Sequence, residues 1–579
     1  MKLELIICEL MKHTPLYSLF IICYLLFIPA AAAQPSWTKK ASKAVFTLKT
    51  FDAKGAPVGT ATGFYVGSDG EALSAYAPFK GAARALIVDA SGKEHAVSAI
   101  LGASDTYDVA RFRVDASKTQ PLAVAAAVAP TGTRLWLLPW RETKALREAT
   151  VAKTETIRQH YGYYTLSLGH SVPGGSPAGT EGIAGTPLLD DDGRVVGIMQ
   201  QPYKTDGEGT AYAGGALFAD SLRISGLSIN DPALRAIGIK KALPDDQSQA
   251  LLTLYVAAAQ LDSAAYATLI DDFIAQFPKS HEGYVTRAQF AANADRCDAA
   301  DRDMAEALRT GSHTDDVHYS YSKLILQKLL SRPEPPYAPW TLDRALSEAE
   351  AAYADSPQPV YRQQQAVVLM AQQRYDEAYT AYEQLFASPL RSPEVFFDAS
   401  RCKVLAGDTA AQIALLDSCV ALFSRPYLKE AAPYLLVAAQ ARIDAGRYRE
   451  AVPLLTDYEQ LMAAQVNDRF YYLRFQAEVS GKLFQQALND IDRAIAISPQ
   501  SDLYYAEKAS LLVRLGLYDE TIATAQEAIA IAPDHSDGYL FLGLAQCLKG
   551  DKAQGRQNLE KARDMGDPQA DALIAKYAY

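Results

Sequence analysis

Several side chains in the first half of the chain could take part in hydrolysis. Ser176 lies in the glycine-rich stretch PGGSPAG, Asp108 lies in DTYDVARFRV, and His95, His160 and His170 lie in the same region. A serine hydroxyl attacks a carbonyl when a histidine takes its proton and an acid orients that histidine. One hypothesis is therefore a serine hydrolase with Ser176 as nucleophile. The alternative interpretation of PGGSPAG is a flexible surface loop.

Three motifs follow one another in this region. They are GTATGFYVGSDGEALSAYAPFKGA at residues 59–82, DTYDVARFRV at 105–114 and GIAGTPLLDDDGRVVGI at 182–198. In this order they resemble the base, acid and nucleophile segments of trypsin-like serine proteases, specifically the bacterial HtrA (Deg) type. The acid segment has one residue fewer between its two aspartates than the family pattern. The resemblance covers most of residues 44–227 and implies a double β-barrel.

The resemblance places the acid at Asp108 but leaves two catalytic side chains missing. The base position corresponds to Ala77 and the nucleophile position to Ala184, and Thr186 replaces the second glycine after the nucleophile. In a serine protease, loss of the nucleophile or base alone lowers turnover by about a millionfold. The backbone N–H groups of Gly182 and Ala184 would be the residual oxyanion hole. The domain is thus expected to be inactive, and a peptide is expected to pair with an edge strand near residues 210–218.

Short apolar stretches predict that residues 37–227 form an antiparallel β-domain. Segments such as KAVFTLKTF, ARALIVDA and YYTLSLG alternate with turn sequences such as AKGAP and GSDG. LDDDG at 189–193 lacks the spaced ligands of a calcium loop and predicts a β-turn. Residues 228–248 contain two prolines and a charged stretch, which predicts a linker.

From residue 249 onward the sequence predicts a helical repeat array. Tyr471, Tyr505 and Tyr539 open three successive units at equal 34-residue steps, and Pro499 and Pro533 end the first two. Two-helix units of this length cannot bury their apolar faces alone, so they stack into a solenoid. The pattern is that of tetratricopeptide (TPR) repeats, and about nine are expected across residues 249–579. This resemblance implies protein or peptide partners on a concave face whose contact residues the sequence does not identify.

The N-terminus resembles a secretory signal peptide. An apolar run from Leu16 to Ile28 precedes the small residues AAA, so cleavage is expected near Ala33. The acidic residues before the run suggest that translation begins at Met11 rather than at Met1. No cysteine stands at a lipid-attachment position, and stable membrane insertion after cleavage is not expected. The HtrA-type resemblance makes the periplasm the expected compartment.

Composition excludes several function classes. The net charge of −11 gives no basic face for nucleic acid or for an anionic membrane. The scattered histidines lack metal-ligand spacing, so neither a metal nor a cofactor is expected. Four cysteines lie in helical segments and are expected to be small buried hydrophobes, although an exported protein could pair some of them: Cys297, Cys402, Cys419 and Cys547.

The combined prediction is an exported binding or scaffold protein, not an enzyme. Its expected fold is an all-β trypsin-like double barrel followed by an all-α TPR solenoid. Two alternatives stay open. One is a serine endopeptidase with relocated catalytic residues, with Ser176 as the candidate nucleophile. The other is a TPR-only interaction protein whose barrel is purely structural.

Overall fold

The first half of the chain forms two closed antiparallel β-barrels of six strands each. The computed structural model describes residues 35–138, 146–157, 161–168, 183–200 and 210–579. A short helix, α1 (Thr38–Ala41), precedes the barrels. The first barrel has the strand order β1-β2-β3-β6-β5-β4, with β1 (Val45–Phe51), β2 (Pro57–Tyr65), β3 (Glu71–Ser74), β4 (Arg84–Val88), β5 (Glu94–Ser104) and β6 (Val109–Val114). The second has the order β10-β11-β12-β9-β8-β7, with β7 (Arg134–Leu137), β8 (Arg147–Ile157), β9 (Tyr161–Leu168), β10 (Pro187–Leu189), β11 (Val195–Met199) and β12 (Thr210–Gly215).

Alternating apolar residues fill each barrel. In the first, Phe46, Ile87 and Phe112 are fully buried, and each contributes about 1.5–3 kcal/mol by leaving water. The family's glycine at Gly63 has a packing reason, because a Cβ there would lie 2.4 Å from the Phe46 ring. The second barrel has its own core, whose buried members include Leu135, Tyr164, Leu166 and Leu188.

A third apolar cluster joins the two barrels. It combines Phe64, Leu73 and Val109 of the first barrel with residues of the second such as Leu189 and Ile198. All five side chains are almost completely buried. The barrels therefore share an interface, and the loops at its edge are held in fixed positions.

Residues 228–248, expected as a linker, pack on the first barrel instead. Ile100 in β5 exchanges backbone hydrogen bonds with this segment: its N–H donates to Lys240 C=O (2.8 Å) and its C=O accepts from Ala242 N–H (2.9 Å). Residues 232–242, here called the strap, include the short helix α2 (Pro232–Arg235). Four strap side chains belong to the core of the first barrel: Ala233, Leu234, Ile237 and Ile239. Turn residues and charges pointed to a linker, but the apolar side chains between them decide the packing.

The remainder of the described chain is helical. Nineteen helices follow the strap among the described residues: α3 (Gln247–Ala257), α4 (Ser263–Gln276), α5 (His281–Asn293), α6 (Cys297–Arg309), α7 (Thr314–Ser331), α8 (Leu342–Asp355), α9 (Pro359–Ala371), α10 (Tyr375–Glu383), α11 (Pro393–Leu405), α12 (Thr409–Val420), α13 (Ala432–Asp444), α14 (Tyr448–Met462), α15 (Asp468–Ser480), α16 (Phe484–Ile497), α17 (Asp502–Arg514), α18 (Tyr518–Ile531), α19 (Ser536–Lys549), α20 (Lys552–Asp564) and α21 (Ala570–Tyr577). They form nine consecutive hairpins, from α3–α4 to α19–α20, and one final helix. The predicted fold class, a trypsin-like double barrel followed by an all-α solenoid, is confirmed.

Sequence features explain where the helices begin and turn. Side chains of Asp246, Asp408 and Asn467 accept hydrogen bonds from the first-turn N–H groups of α3, α12 and α15, which stabilises a helix start by about 1 kcal/mol. Within seven hairpins the turn contains one residue in the left-handed region, which favours glycine. The seven are Asp295, Gln373, Gly407, Gly446, Lys482, Gly516 and Gly550.

The chain divides into two compact units, Met1–Gly283 and Tyr284–Tyr579. The hairpin α3–α4 thus belongs to the same unit as the barrels. In the second unit, Cys297, Cys402, Cys419 and Cys547 are buried free thiols, as expected for small hydrophobes. Burial raises the pKa of Cys402 to about 11 and that of Cys419 to about 12, so both thiols stay protonated. No helix in the described ranges is long and apolar enough to cross a bilayer.

Candidate functional site

The acid and base positions lie next to each other on the first barrel. Asp108 occupies the turn between β5 and β6, and Ala77 begins a single 3-10 turn after β3. The backbone N–H of Ala77 donates to Oδ1 of Asp108 at 2.8 Å. Asp108 adopts φ = 50°, a left-handed conformation that aspartate tolerates better than most residues. The carboxylate therefore holds the backbone of the residue that corresponds to the base.

Contacts from several sides fix the segment that carries Ala77. The hydroxyl of Thr50 donates to the carbonyl of Pro78 at 2.6 Å in the barrel interior. The hydroxyl of Tyr76 donates to the carbonyl of Ala233 in the strap at 3.1 Å. The segment has a defined position, yet the side chain it presents to solvent is only the methyl group of Ala77.

The turn that corresponds to the nucleophile loop packs against β2 and β3 of the first barrel. The carbonyl of Ala184 accepts a hydrogen bond from Thr62 N–H in β2 at 2.9 Å, and Ala184 is only 1% exposed. Gly185 has φ = 77°, and a Cβ there would lie 2.0 Å from the Thr62 carbonyl and 2.6 Å from Oγ of Ser74 in β3. The second barrel thus brings this turn close to the segment of the first barrel that carries Ala77.

Thr186 adds a buried hydroxyl to the turn. It stands where the family has a second glycine, it is 1% exposed, and its Oγ1 has no hydrogen-bond partner among the described residues. A buried hydroxyl without a partner costs about 1–3 kcal/mol. Its backbone still pairs with β11, where Met199 N–H donates to Thr186 C=O at 3.0 Å. The turn therefore keeps its backbone bonding and carries a destabilising side chain.

Of the three positions that correspond to acid, base and nucleophile, only Asp108 has a side chain that could take part in hydrolysis. Ser–His–Asp chemistry needs an oxygen nucleophile and an imidazole that accepts its proton. Methyl groups at 77 and 184 supply neither, and Asp108 already accepts a backbone hydrogen bond. As they stand, these three positions can neither attack a carbonyl nor move a proton between nucleophile and leaving group.

Sequence comparisons agree with this geometry. Residues 61–198 match the family model described as a trypsin-like peptidase domain.

The double barrel is a trypsin-like peptidase domain.

A solved structure of the Rv3671c protease from M. tuberculosis, in its active form, is similar to the trypsin-like domain. It is 17% identical, covers 37% of this chain and 88% of that chain, and has a TM-score of 0.27. Other relatives contain TPR repeats. The small glutamine-rich tetratricopeptide repeat-containing protein 2 of Saccharomyces cerevisiae is 30% identical over 100 residues, which cover 17% of this chain and 29% of that protein.

The Hsp70-Hsp90 organizing protein of Triticum aestivum is a second such relative. It is 29% identical over 102 residues, which cover 18% of this chain and 17% of that protein. The chain spans less than a third of the length of either relative. The resemblance to a trypsin-like protease homologue fused to TPR repeats is confirmed as a statement about domains and fold.

Some candidate residues lie outside the described part of the chain. These are Gly182, whose N–H was expected in the oxyanion hole, and Ser176, His160 and His170 of the alternative hydrolase hypothesis. The signal peptide, with its expected cleavage near Ala33, also lies outside. The structure therefore leaves the oxyanion hole and the relocated triad as predictions.

His95 can be placed, and it lies away from the base segment. It stands near the start of β5, opposite Ile87 of β4. Its Nε2 lies 3.2 Å from Oδ2 of Asp89, while Oγ of Ser91 donates to the other oxygen of that carboxylate at 2.6 Å. A serine, an aspartate and a histidine meet here, but the serine bonds to the carboxylate instead of the imidazole. This is a hairpin turn stabilised by an aspartate, not a nucleophile–base pair.

The predicted edge strand near residues 210–218 is wrong. Strand β12 pairs with β11 through residues 213–215 and with β9 through residues 210–214. Among the described residues, Ala213 and Gly214 are paired on both sides, whereas residues 210–211 pair with β9 alone, and residues 216–221 form a 3-10 helix. A partner peptide cannot add a strand at the residues that are paired on both sides, because addition of a strand needs a free edge.

The acidic sequence LDDDG forms the predicted β-turn between β10 and β11. Oδ1 of Asp190 accepts the N–H groups of Asp192 (3.0 Å) and Arg194 (2.8 Å). Asp191 accepts the indole N–H groups of Trp37 at its carbonyl and of Trp136 at its carboxylate. Within the described ranges there is no cluster of three or more potential metal ligands.

A residue that the motifs did not indicate connects the two barrels beside Asp108. Gln200, only 7% exposed, accepts a hydrogen bond from Tyr163 OH at 2.7 Å and donates to the carbonyl of Tyr107 at 2.9 Å. The Tyr107 ring stacks on Phe218 at 3.8 Å. The sequence offered little sign of this role for Gln200, because among Gln200, Tyr163 and Tyr107 only Tyr107 lies within a motif. These contacts hold the acid turn against the second barrel.

Proposed function

We propose that the protein is an exported binding or scaffold protein, in which an inactive trypsin-like domain precedes a TPR array that binds peptide or protein partners. The observation that carries the proposal is the set Ala77, Asp108 and Ala184. Asp108 holds the backbone of Ala77, while the residues at the base and nucleophile positions carry only methyl groups. Export, with the periplasm as the compartment, rests on the signal-peptide pattern at the N-terminus.

The helical array is the part of the molecule that favours partner binding. Stacked two-helix repeats create long surfaces that suit extended peptides. TPR relatives include a protein whose name describes the organisation of Hsp70 and Hsp90, which supports protein partners for this array as well. Two linked sites, one in each domain, would add avidity.

The pairing of β12 favours one alternative, in which the trypsin-like domain is structural and the repeats do the binding. Because β12 lies between β11 and β9, its middle residues do not offer the strand edge on which peptide pairing was expected. A barrel site would then depend on residues other than those of β12. The two versions differ in whether the trypsin-like domain contributes to capture.

Activity-based labelling tests inactivity on the full chain. The protein is treated with a fluorophosphonate probe, and casein turnover is measured in parallel with an active trypsin-like protease. We expect no labelling and no turnover. Labelling that disappears in Ser176→Ala but persists in a control, Ser91→Ala, would instead establish a relocated nucleophile.

Partner capture tests the binding role. Envelope extract is passed over the full-length protein and over a version that begins at residue 244, after the strap. Equal capture by both would favour the structural barrel, and capture by the full-length protein alone would favour a site in the trypsin-like domain. Absence of specific capture by both would contradict the scaffold proposal.

A further inference from the structure

One carboxylate connects the sixth helical hairpin, α13–α14, to the seventh, α15–α16. Glu459, near the end of α14, accepts hydrogen bonds from Tyr471 OH at 2.8 Å and from Arg493 Nη1 at 3.1 Å. Its second oxygen lies 2.8 Å from Nη1 of Arg474. All three partners belong to the seventh hairpin. The side chain of Glu459 is 20% exposed, so these charged contacts are partly shielded from water.

The seventh hairpin has its own charged pair, which does not depend on Glu459. Arg474, with a side chain only 4% exposed, donates from Nε to Oδ2 of Asp490 at 2.5 Å and from Nη2 to Oδ1 at 3.0 Å. This two-bond contact joins α15 to α16 inside one hairpin. Arg474 thus bonds Asp490 within the hairpin through Nε and Nη2, while its Nη1 faces Glu459 across the junction. Loss of Glu459 would remove the second contact and leave the first.

Apolar packing at this junction is limited. The buried cluster that spans it has four members, two of them alanines: Ala439, Ala451, Leu455 and Phe470. Partly buried side chains such as Tyr458 surround it. Because buried alanines remove little apolar surface from water, the junction gains less from burial than one built on larger side chains.

The next junction, between the seventh and eighth hairpins, is built differently. Its buried cluster has six members, and two of them are again alanines: Phe475, Ala487, Ile491, Ala494, Tyr504 and Leu511. The difference is that four larger side chains are buried here, compared with two, Leu455 and Phe470, at the junction of Glu459. A carboxylate contact crosses there too, since Tyr472 OH donates to Glu507 at 2.9 Å. At that junction the polar bond accompanies a larger apolar contact and does not replace it.

We propose that the junction between the sixth and seventh hairpins is a hinge of the solenoid, held closed by Glu459. Regions with few buried apolar contacts open at low free-energy cost. Here the closing bonds converge on one side chain, and a further crossing bond runs from Nε of Arg449 to the carbonyl of Gly481 at 2.7 Å. When Glu459 is released, the two hairpins can separate while each keeps its own fold. This inference does not depend on the proposed function.

Spin-label distances on the full chain test the hinge. Thr409 in α12 and Ala553 in α20 are exposed and lie on opposite sides of the junction, so Thr409→Cys and Ala553→Cys provide the label sites. Glu459→Gln keeps the shape of the side chain but removes its charge. We expect the distance distribution to broaden clearly in Glu459→Gln. The matched control is Glu507→Gln, which should leave the distribution as in the parent.

Hydrogen exchange provides the second measurement. In Glu459→Gln, amides at the end of α14 and in α15 are expected to exchange at least tenfold faster, with α11 and α12 unchanged. Tyr471→Phe, which removes one of the three bonds, should give a smaller effect at the same sites, and it tests the proposal even if Glu459→Gln folds poorly. An unchanged distribution and unchanged exchange in both variants, or equal broadening in Glu507→Gln, would overturn the hinge.

Discussion

The degenerate site of the trypsin-like domain and the charged junction of the solenoid use polar side chains in opposite ways. At the first, Asp108 binds a backbone N–H, and the positions beside it are methyl groups. At the second, Arg474 pairs with Asp490 in its own hairpin and with Glu459 across the junction. Two of the three positions at the first site are methyl groups, whereas the charge cluster at the second joins two hairpins.

This difference shows why a polar cluster alone is weak support for catalysis. Buried charges must be paired whatever their role, because an unpaired buried charge is strongly destabilising. The test of a catalytic site is whether a nucleophile and its base are both present in reach of each other. By that test Asp108 is a structural acceptor. Four substitutions challenge or sharpen the comparison, each affecting one of the two units.

Glu478→Gln is expected to have the largest effect, and one that depends on pH. Glu478 lies in α15, is 3% exposed, and faces Asp490 and Arg493 of α16, Glu459 of α14 and Arg474 of its own helix. Burial, followed by the negative charge of Asp490, raises the pKa of Glu478 from 4.5 to about 8. Between these values the unfolded chain releases the proton and the folded chain keeps it, so the wild type loses stability as pH rises.

Gln does not titrate. The stability of Glu478→Gln relative to the wild type should therefore grow from pH 4.5 to about 8 and then level off. Calorimetry of the solenoid transition across this range measures it, with Glu507→Gln as the matched control. A difference between Glu478→Gln and wild type that stays constant with pH would show that the buried carboxyl does not behave this way.

Gly185→Ala tests the packing of the degenerate site. The residue has φ = 77°, and its Cβ would lie 2.0 Å from a backbone carbonyl, so strain and overpacking together should cost about 3 kcal/mol. Gly132→Ala is the control, since it has φ = 87° with no atom within 4 Å of its Cβ, and it should cost about 1–2 kcal/mol. Calorimetry should show the loss in the barrel transition. Equal losses in the two variants would mean that the close approach at Gly185 is unimportant.

Asp108→Ala measures what the surviving acid does. It removes a hydrogen bond between a charged group and Ala77 N–H, so it should lower barrel stability by about 1.5–3 kcal/mol. Asp108→Asn keeps an acceptor oxygen and tolerates the left-handed conformation, so its loss should be smaller. Thermal unfolding of both variants provides the comparison. A stability unchanged in Asp108→Ala would remove the structural role that we assign to the carboxylate.

Lys482→Gly should give the smallest effect, and a favourable one. Lys482 adopts φ = 58° in the turn of the seventh hairpin, where a non-glycine residue costs about 1–2 kcal/mol. Glycine removes this strain, but its greater freedom in the unfolded chain offsets about half of the stabilisation. The net increase in the free energy of unfolding should be about 0.5–1 kcal/mol. Gly516→Ala, at the matching turn of the next hairpin, should have the opposite sign. The measurement is the melting temperature of the solenoid, which should rise in Lys482→Gly and fall in Gly516→Ala.

Much of the fold could be predicted because its signals are local. The 34-residue spacing of Tyr471, Tyr505 and Tyr539 directly reflects hairpins that stack in register. In the trypsin-like domain, the Phe46 ring leaves no space for a side chain at Gly63, and the Thr62 carbonyl leaves none at Gly185. Both glycines belong to the motifs that indicated the fold, so packing explains why these residue types occur there.

Other features depend on contacts between distant segments and could not be predicted. Strand β12 lies between two other strands because the barrel closes, and the sequence of residues 210–218 does not indicate this closure. Residues 228–248 looked like a linker because they contain Pro232, Pro244 and several charged residues, although four apolar side chains between the prolines pack on the barrel. One signal was available and was missed: Arg287–Asp303 and Arg474–Asp490 are bonded pairs at the same spacing, one in each of two hairpins.

The strap also constrains the order in which the chain can fold during synthesis. Leu234, Ile237 and Ile239 complete the core of the first barrel, yet they follow the last strand of the second barrel in the sequence. A chain emerging from its N-terminus can form both barrels' strands before these side chains appear, but it leaves part of the first core open to water. The first barrel can therefore complete its core only after residues up to 239 have been delivered, and a chain cut at residue 227 would expose an apolar surface to chaperones and proteases.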